Sequence, residues 1–257
     1  MGRFETAAGF YKFREPYPPP FFEIVAGKLI LNEQTRMLDV GCGPGNLALG
    51  FRPFVGSCTA LDIEPEMLRI AGESAGPAQI RFLQMPVEEL DEAAESFDFV
   101  TIGRALHWLS REATLAVLER IVAPTGRIAV CAVHSSDADC NAWTHPFRQL
   151  RRAWSGDHDE SRYRPDLEEW FAASRFRKLD EISAQQRYRF TVEEIIGRAL
   201  SFSVTSPAVL GERRSEFEAE LRAVLAPFVV DGMLDEEVAS KAVVFGRHLG
   251  LGGMVTG

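Results

Sequence analysis

The sequence predicts an α/β fold with a mostly parallel central sheet, helices on both faces and a helical cap. Three observations predict it. From about residue 35 to 135 short apolar runs alternate with amphipathic stretches, the rhythm of βαβ units. The first apolar run ends in a glycine-rich turn, Gly41-Cys42-Gly43-Pro44-Gly45. The second ends in an acidic residue, Asp62, 21 positions after Gly41.

The elements follow in order. Pro18 to Leu31 reads as a helix with Phe21, Phe22, Val25 and Leu29 on one face, an arm ahead of the sheet. Met37 to Val40 reads as the first strand, Cys58 to Asp62 as the second, Ile80 to Leu83 as the third, Phe97 to Ile102 as the fourth and Arg127 to Val133 as the fifth. Between the last two, residues 110 to 123 read as a helix: Ser110 is placed to cap it, Leu115, Leu118 and Val122 recur at helical spacing, and Pro124-Thr125-Gly126 is placed to stop it. Residues 136 to 175 carry Trp, Arg and Asp without a strand pattern. Arg177 to Phe190 reads as a strand, helices follow from Thr191 and over 212 to 226, and Ala242 to Gly246 reads as a last strand. The expected organisation is an arm over 1–34, a ligand-binding core over 35–135, a cap insertion over 136–175, sheet completion with further cap helices over 176–248, and a frayed tail over 249–257.

At 257 residues the length falls between one domain and two, and the chain can bury a sizeable core. With 46% hydrophobic and 25% charged residues it is neither membrane-like nor disordered. The balance of 28 Lys+Arg against 37 Asp+Glu gives −9, which argues against nucleic acid or an anionic membrane as partner because both need a basic footprint. Cys42, Cys58, Cys131 and Cys140 form no C-x-x-C pair, so neither a disulfide framework nor a zinc site is expected. The N-terminus lacks a charged segment leading into an apolar one, and the expected location is the cytoplasm.

A G-x-G turn between a strand and a helix lets the backbone approach a ligand, because a Cβ there would collide, and the helix start adds N–H donors. A dinucleotide fingerprint would read G-x-G-x-x-G, whereas here the third glycine comes one residue early and Asn46 holds its place. Asp62 is placed to accept hydrogen bonds from two ribose hydroxyls.

The run Met37-Leu38-Asp39-Val40-Gly41-Cys42-Gly43-Pro44-Gly45, together with Leu61-Asp62-Ile63-Glu64-Pro65-Glu66-Met67-Leu68, resembles the class I S-adenosylmethionine-dependent methyltransferases. Arg104-Ala105-Leu106-His107-Trp108-Leu109 and Tyr11-x-x-Arg14-x-x-Tyr17-Pro18 are similar to segments of a small-molecule branch that includes trans-aconitate methyltransferase-like proteins. The resemblance covers residues 4 to 135 well and implies a Rossmann-like methyltransferase fold. It implies S-adenosylmethionine as cofactor, with Asp39, Gly41, Cys42 and Gly43 at its methionine part, Asp62 on the ribose, and Ile63 and Met67 flanking the adenine. Arg81 to Leu90 resembles the segment that presents the adenine edge, with a departure: the family often has an acidic residue where Pro86 stands, and proline offers neither carboxylate nor N–H. Val87 and Glu88 are then the expected adenine contacts.

The acceptor decides whether a base is needed, since a carboxylate reacts already ionised while a phenol, alcohol or amine must lose a proton. His107, just past the fourth strand, is the candidate base; packing at the start of the next helix is the alternative. Trp108 and His134 are candidates to line an acceptor pocket. Arg14 and Tyr17 are placed to close over the cofactor, the guanidinium on its carboxylate. Arg148, Arg151 and Arg152, with Trp143 and Trp154, either receive an anionic, partly apolar substrate or form a solvated face. No metal is expected, even at Asp157-His158-Asp159-Glu160, because adjacent residues rarely converge on one ion. The expected partner is a small-molecule methyl acceptor. A nicotinamide-dependent oxidoreductase and a non-catalytic binder of S-adenosylmethionine are the rivals.

Overall fold

The computed structural model describes residues 7–155 and 165–247; Asp157 to Glu160 and the 249–257 tail lie outside the described residues. A seven-stranded sheet runs in the order β3-β2-β1-β4-β5-β7-β6. The strands are β1 (Arg36–Val40), β2 (Ser57–Asp62), β3 (Arg81–Gln84), β4 (Phe97–Gly103), β5 (Val122–Ser135), β6 (Phe176–Thr191) and β7 (Met233–Arg247). The first five are parallel, while β7 pairs antiparallel with both β5 and β6. The helices are α1 (Pro19–Leu29), α2 (Asn46–Phe51), α3 (Pro65–Ala75), α4 (Arg111–Ile121), α5 (Thr144–Ser155), α6 (Leu167–Phe171), α7 (Val192–Leu200), α8 (Pro207–Leu210) and α9 (Arg214–Leu225). This is the α/β architecture that the alternating pattern predicts, of the Rossmann-like kind that the resemblance implies.

Alternation along the strands explains the two layers. Leu38, Val40, Val100, Ile102, Ile128 and Val130 point to one face and pack with Leu115, Leu118 and Ile121 of α4 and Phe171 of α6. Met37, Ala60, Phe99, Ala129 and Cys131 point to the other, under Phe21, Phe22 and Val25 of α1 and Leu47 and Phe51 of α2. A third apolar cluster lies apart: Trp143 just before α5, Phe147 of α5, Ile195 and Leu200 of α7, and Phe217, Leu221 and Leu225 of α9 meet Leu234 at the start of β7. The cap therefore has a small core of its own.

Several sequence expectations shift. Helix α4 ends at Ile121, and Pro124-Thr125-Gly126 belongs to β5, where the ladder to β4 jumps from Phe97↔Val122 to Phe99↔Arg127. Ser110 occupies the cap position of α4, but its side chain makes no cap bond; the Glu88 carboxylate accepts the Ser110 N–H at 3.0 Å and the Thr114 hydroxyl at 2.8 Å. Thr191 and Glu194 form a reciprocal capping box that starts α7. Strand β7 begins nine residues earlier than the apolar run 242–246 suggests.

Candidate active site

Strand β1 lies between β2 and β4, and the chain goes to opposite sides of the sheet from this pair, so a crevice opens at their carboxyl ends. The glycine turn fills it. Gly41, Gly43 and Gly45 have φ of 63°, 55° and 86°, in the left-handed region that side chains disfavour. A Cβ on Gly41 would stand 2.5 Å from that of Ala105, so the turn touches the exit of β4 directly.

The two aspartates of the turn have different duties. Asp39 is buried; one oxygen accepts the Thr101 hydroxyl at 2.7 Å and the other the Ala48 N–H at 3.1 Å, tying β1 to β4 and α2. Burial pushes its carboxyl up to about 7, against the pull of those two bonds. Asp62 is half-buried and accepts the Gly43 N–H at 2.8 Å and the Glu64 N–H at 2.9 Å, one on each oxygen. Each oxygen keeps a second lone pair, so the carboxylate shapes the turn and can still receive hydroxyls.

Over the turn lies the N-terminal arm. Tyr11, Tyr17 and Arg104 line a narrow cavity with Asp39, Gly41 and Asn46. Arg104 follows β4 with φ 57°, a strained conformation for a residue with a side chain. Its guanidinium donates to the Glu15 carbonyl at 2.6 Å and lies 5.3 Å from the centre of the Tyr17 ring. The Tyr17 hydroxyl and Arg104 Nη1 are buried beside this cavity and face each other, with no other hydrogen-bond partner. Such a phenol and guanidinium keep hydrogen-bonding capacity for a polar ligand. A wider groove of about 660 Å³ lies on the far side of the sheet between α6 and β6, remote from the turn.

Beyond the cavity the arm docks on the cap. Phe13 packs so closely on α7 that a Cβ on Gly197 would meet its ring at 2.3 Å. Arg198 is fully buried and donates to Glu236 at 2.7 Å and to the Phe13 carbonyl at 3.0 Å, with Glu15 3.6 Å away. Burial alone would raise the Glu15 carboxyl, but Arg198, Arg104 and Arg14 together hold it down at about 2. Arg14 donates to the Ser201 carbonyl at 3.1 Å and stacks 3.7 Å from the centre of the Phe202 ring.

The other expected site residues fall as follows. Cys42 is buried in the turn and burial raises its thiol, which suits packing and not nucleophilic attack. Ile63 is 61% exposed at the end of β2, an apolar surface beside Asp62, and Met67 is buried on α3. Val87 is buried in the sheet core, and the Glu88 carboxylate is engaged in holding the start of α4. His107 and Trp108 form a short turn directly after Ala105, their rings 4.7 Å apart, with Trp108 42% exposed. His134 is exposed near the end of β5. Arg148 lies on the exposed face of α5, so the cap arginine that turns inward is Arg151, stacked 3.9 Å from the centre of the Phe202 ring. Among the described residues no cluster of His, Cys, Asp and Glu could hold a metal.

Sequence reading missed Arg104, Glu15, Arg198 and Glu236. A signal existed for the last two: Arg198 interrupts the apolar run Ile195, Ile196, Ala199, Leu200, and Glu236 interrupts the inward row Leu234, Val238, Ala242.

Residues 38–130 match the model of a methyltransferase domain family. The segment is a methyltransferase domain. Its cofactor is S-adenosylmethionine, and the left-handed glycines, the spare lone pairs of Asp62 and the Tyr17 and Arg104 groups at the cavity fit a ligand with a ribose and a charged amino-acid end. The chain is similar to the uncharacterized methyltransferase YcgJ of Bacillus subtilis, at 38% identity over 78 residues, 29% of this chain and 31% of that one. It is also similar to a malonyl-[acyl-carrier protein] O-methyltransferase of Enterobacter lignolyticus, at 26% identity over 152 residues, 59% of this chain and 56% of that one. The chain thus matches between a third and somewhat over half the length of these curated relatives. A solved structure from Anaeromyxobacter dehalogenans, assigned provisionally to the type II methyltransferases, superposes with a TM-score of 0.70 at 20% identity, over 91% of this chain and 97% of that one. At that identity it speaks for the fold of the methyltransferase domain and its cap.

Proposed function

We propose that this chain transfers a methyl group from S-adenosylmethionine to a small-molecule acceptor by in-line displacement. The observation that carries the reading is the glycine turn at the switch point of the sheet, with the Asp62 carboxylate on one side and the narrow cavity lined by Tyr17 and Arg104 above it. The backbone of Gly41 and Gly43 and the guanidinium of Arg104 would hold the methionine end. Asp62 would take the ribose hydroxyls, and Ile63 and Met67 would flank the adenine with backbone from Val87. When bound, the cofactor supplies an electrophilic methyl group on a sulfonium.

The chain's own task is then to position and to exclude water. The arm covers the turn, held by Phe13 on Gly197 and by Arg198, which favours a compact acceptor over a macromolecule. The net charge of −9 also argues against nucleic acid. His107 stands two residues from the contact between Ala105 and Gly41, and it would take the proton from a hydroxyl or amine acceptor. Trp108 would wall the acceptor's side.

Calorimetric titration with S-adenosylhomocysteine and with NAD separates this reading from an oxidoreductase. Micromolar or tighter binding of the first and none of the second is expected, and the reverse would sink it. Label transfer from methyl-labelled cofactor to a metabolite pool separates an enzyme from a passive binder. In His107→Ala, turnover of a hydroxyl or amine acceptor should fall about 10²-fold or more with cofactor affinity retained.

A further inference from the structure

We infer that Glu88 is a positioning residue for the transfer: it sets the turn that carries His107 and Trp108 at a fixed place against the cofactor cradle. The inference rests on the methyltransferase reading above. That turn, Leu106 to Trp108, is only as well placed as the chain on either side of it. In front stands Ala105, which abuts Gly41 of the cradle, and the Trp108 N–H returns to the Ala105 carbonyl at 2.8 Å. Behind stands Ser110, whose N–H donates to the Glu88 carboxylate at 3.0 Å, with the Thr114 hydroxyl on the same oxygen at 2.8 Å.

Capping alone does not call for Glu88. Ser110 is of a residue type that caps helices with its own hydroxyl, and it occupies the cap position of α4, yet its side chain makes no cap bond. The acceptor comes instead from 22 residues upstream, in the short turn Val87–Glu89 after β3. A local cap would stabilise the helix and leave its place free, whereas Glu88 ties its start to the segment after β3. That segment is itself fixed to the ribose side of the cradle, because the Met85 N–H donates to the Asp62 carbonyl at 3.1 Å. Val87 and Leu106, one from each turn, are buried in the same apolar cluster. The far end of α4 is held separately by Arg120, which donates to the Leu90 carbonyl at 2.6 Å and to that of Glu92. Loss of Glu88 therefore frees the end of α4 beside His107 and Trp108 and leaves the other end bound. In a reaction that depends on alignment, a misplacement of about 1 Å can cost about 10²-fold in rate, so that end is the one that counts. Both bonds reach one oxygen, so an amide oxygen in the same place can accept them.

The test reads Trp108 directly, by fluorine NMR of the full chain labelled with fluorotryptophan, its line assigned with Trp108→Phe. In Glu88→Ala the Trp108 line should be split or at least twofold broader than in wild type, with those of Trp143 and Trp154 in the cap unchanged. Glu88→Gln should restore the wild-type line. Asp98→Ala removes the acceptor of three Arg36 bonds near the opposite end of β4; it is the control for lost stability and should leave Trp108 as it is. With methyl-labelled cofactor and a metabolite pool, label transfer should fall tenfold or more in Glu88→Ala and return to within threefold in Glu88→Gln. S-adenosylhomocysteine affinity should stay within twofold throughout. Thr114→Val removes one of the two bonds and serves if Glu88→Ala does not fold; it should broaden the Trp108 line and lower transfer at least threefold. An unchanged Trp108 line or unchanged transfer in Glu88→Ala overturns the inference, as does equal broadening in Asp98→Ala. So does a tenfold loss of S-adenosylhomocysteine affinity with the Trp108 line unmoved, which gives Glu88 to the adenine. If the wild type binds no S-adenosylhomocysteine, the methyltransferase reading falls, and Glu88 has no transfer to serve even where the Trp108 line moves as expected.

Discussion

The glycine turn and the arginine cluster sit side by side and are built by opposite means. The turn is made of main chain: Gly41, Gly43 and Gly45 set its path, and Asp39 and Asp62 tie it down through the N–H groups of Ala48, Gly43 and Glu64. The cluster is made of side chains brought together from afar, with Arg14 reaching Ser201 and Arg198 reaching back to Phe13 and across to Glu236. The main-chain cradle is fixed by the local path of the chain, whereas the cluster exists only where residues far apart in sequence meet in the fold.

Four experiments break or sharpen this contrast. The largest effect belongs to the cluster. Arg198→Ala strands Glu236 and Glu15 in a buried site and should cost about 3–5 kcal/mol of stability, read as a lower urea midpoint. A loss under about 1 kcal/mol would show that the cluster is solvated and not a keystone.

On the turn side the comparable quantity is proton-linked. Asp39 titrates near 7 in the folded chain against 3.8 when unfolded, so the unfolded state loses its proton first as pH rises. Its contribution is full below about pH 4 and gone above about pH 7, a change on the order of 4 kcal/mol. Measured as the difference between wild type and Asp39→Asn, stability should decline across that window. A flat difference would mean that Thr101 and Ala48 keep the carboxylate ionised.

Next comes Asp62→Ala, expected to weaken S-adenosylhomocysteine binding by about 1.5–3 kcal/mol in calorimetry. The smallest effect tests a sequence expectation directly. Glu88→Ala should cost about 1 kcal/mol in thermal unfolding, the loss of a helix cap, with cofactor affinity unchanged within a factor of two. A selective loss of affinity would restore Glu88 to the adenine.

The contrast also explains what could be read from the chain. Strand, turn, helix and the acidic residue at 62 are local patterns, so the sheet and the glycine cradle are legible in the sequence, as is the mostly parallel fold. Arg104 is not, because nothing near it in sequence announces that Glu15 and Tyr17 cover it. Glu236 reads as surface charge, yet it is buried in the inward row of β7 and answers Arg198 on α7, 38 residues away. The early start of β7 is missed for the same reason, since Asp235, Glu236 and Glu237 mask its alternation. Arg148 and Arg151 share a helix, and only the position of Phe202 decides which of them turns inward.

Strand β6 ends the sheet, and its 16 residues leave one long ladder edge without a neighbouring strand among the described residues. Such an edge invites a second chain to add a strand and aggregate. Arg177, Lys178, Asp180, Glu181, Arg187 and Arg189 stud it with charge of both signs, and Lys178, Arg187 and Arg189 are paired with carboxylates within β6 or on β7. An incoming strand would have to strip those charges of water, so these acidic and basic residues oppose edge-to-edge pairing.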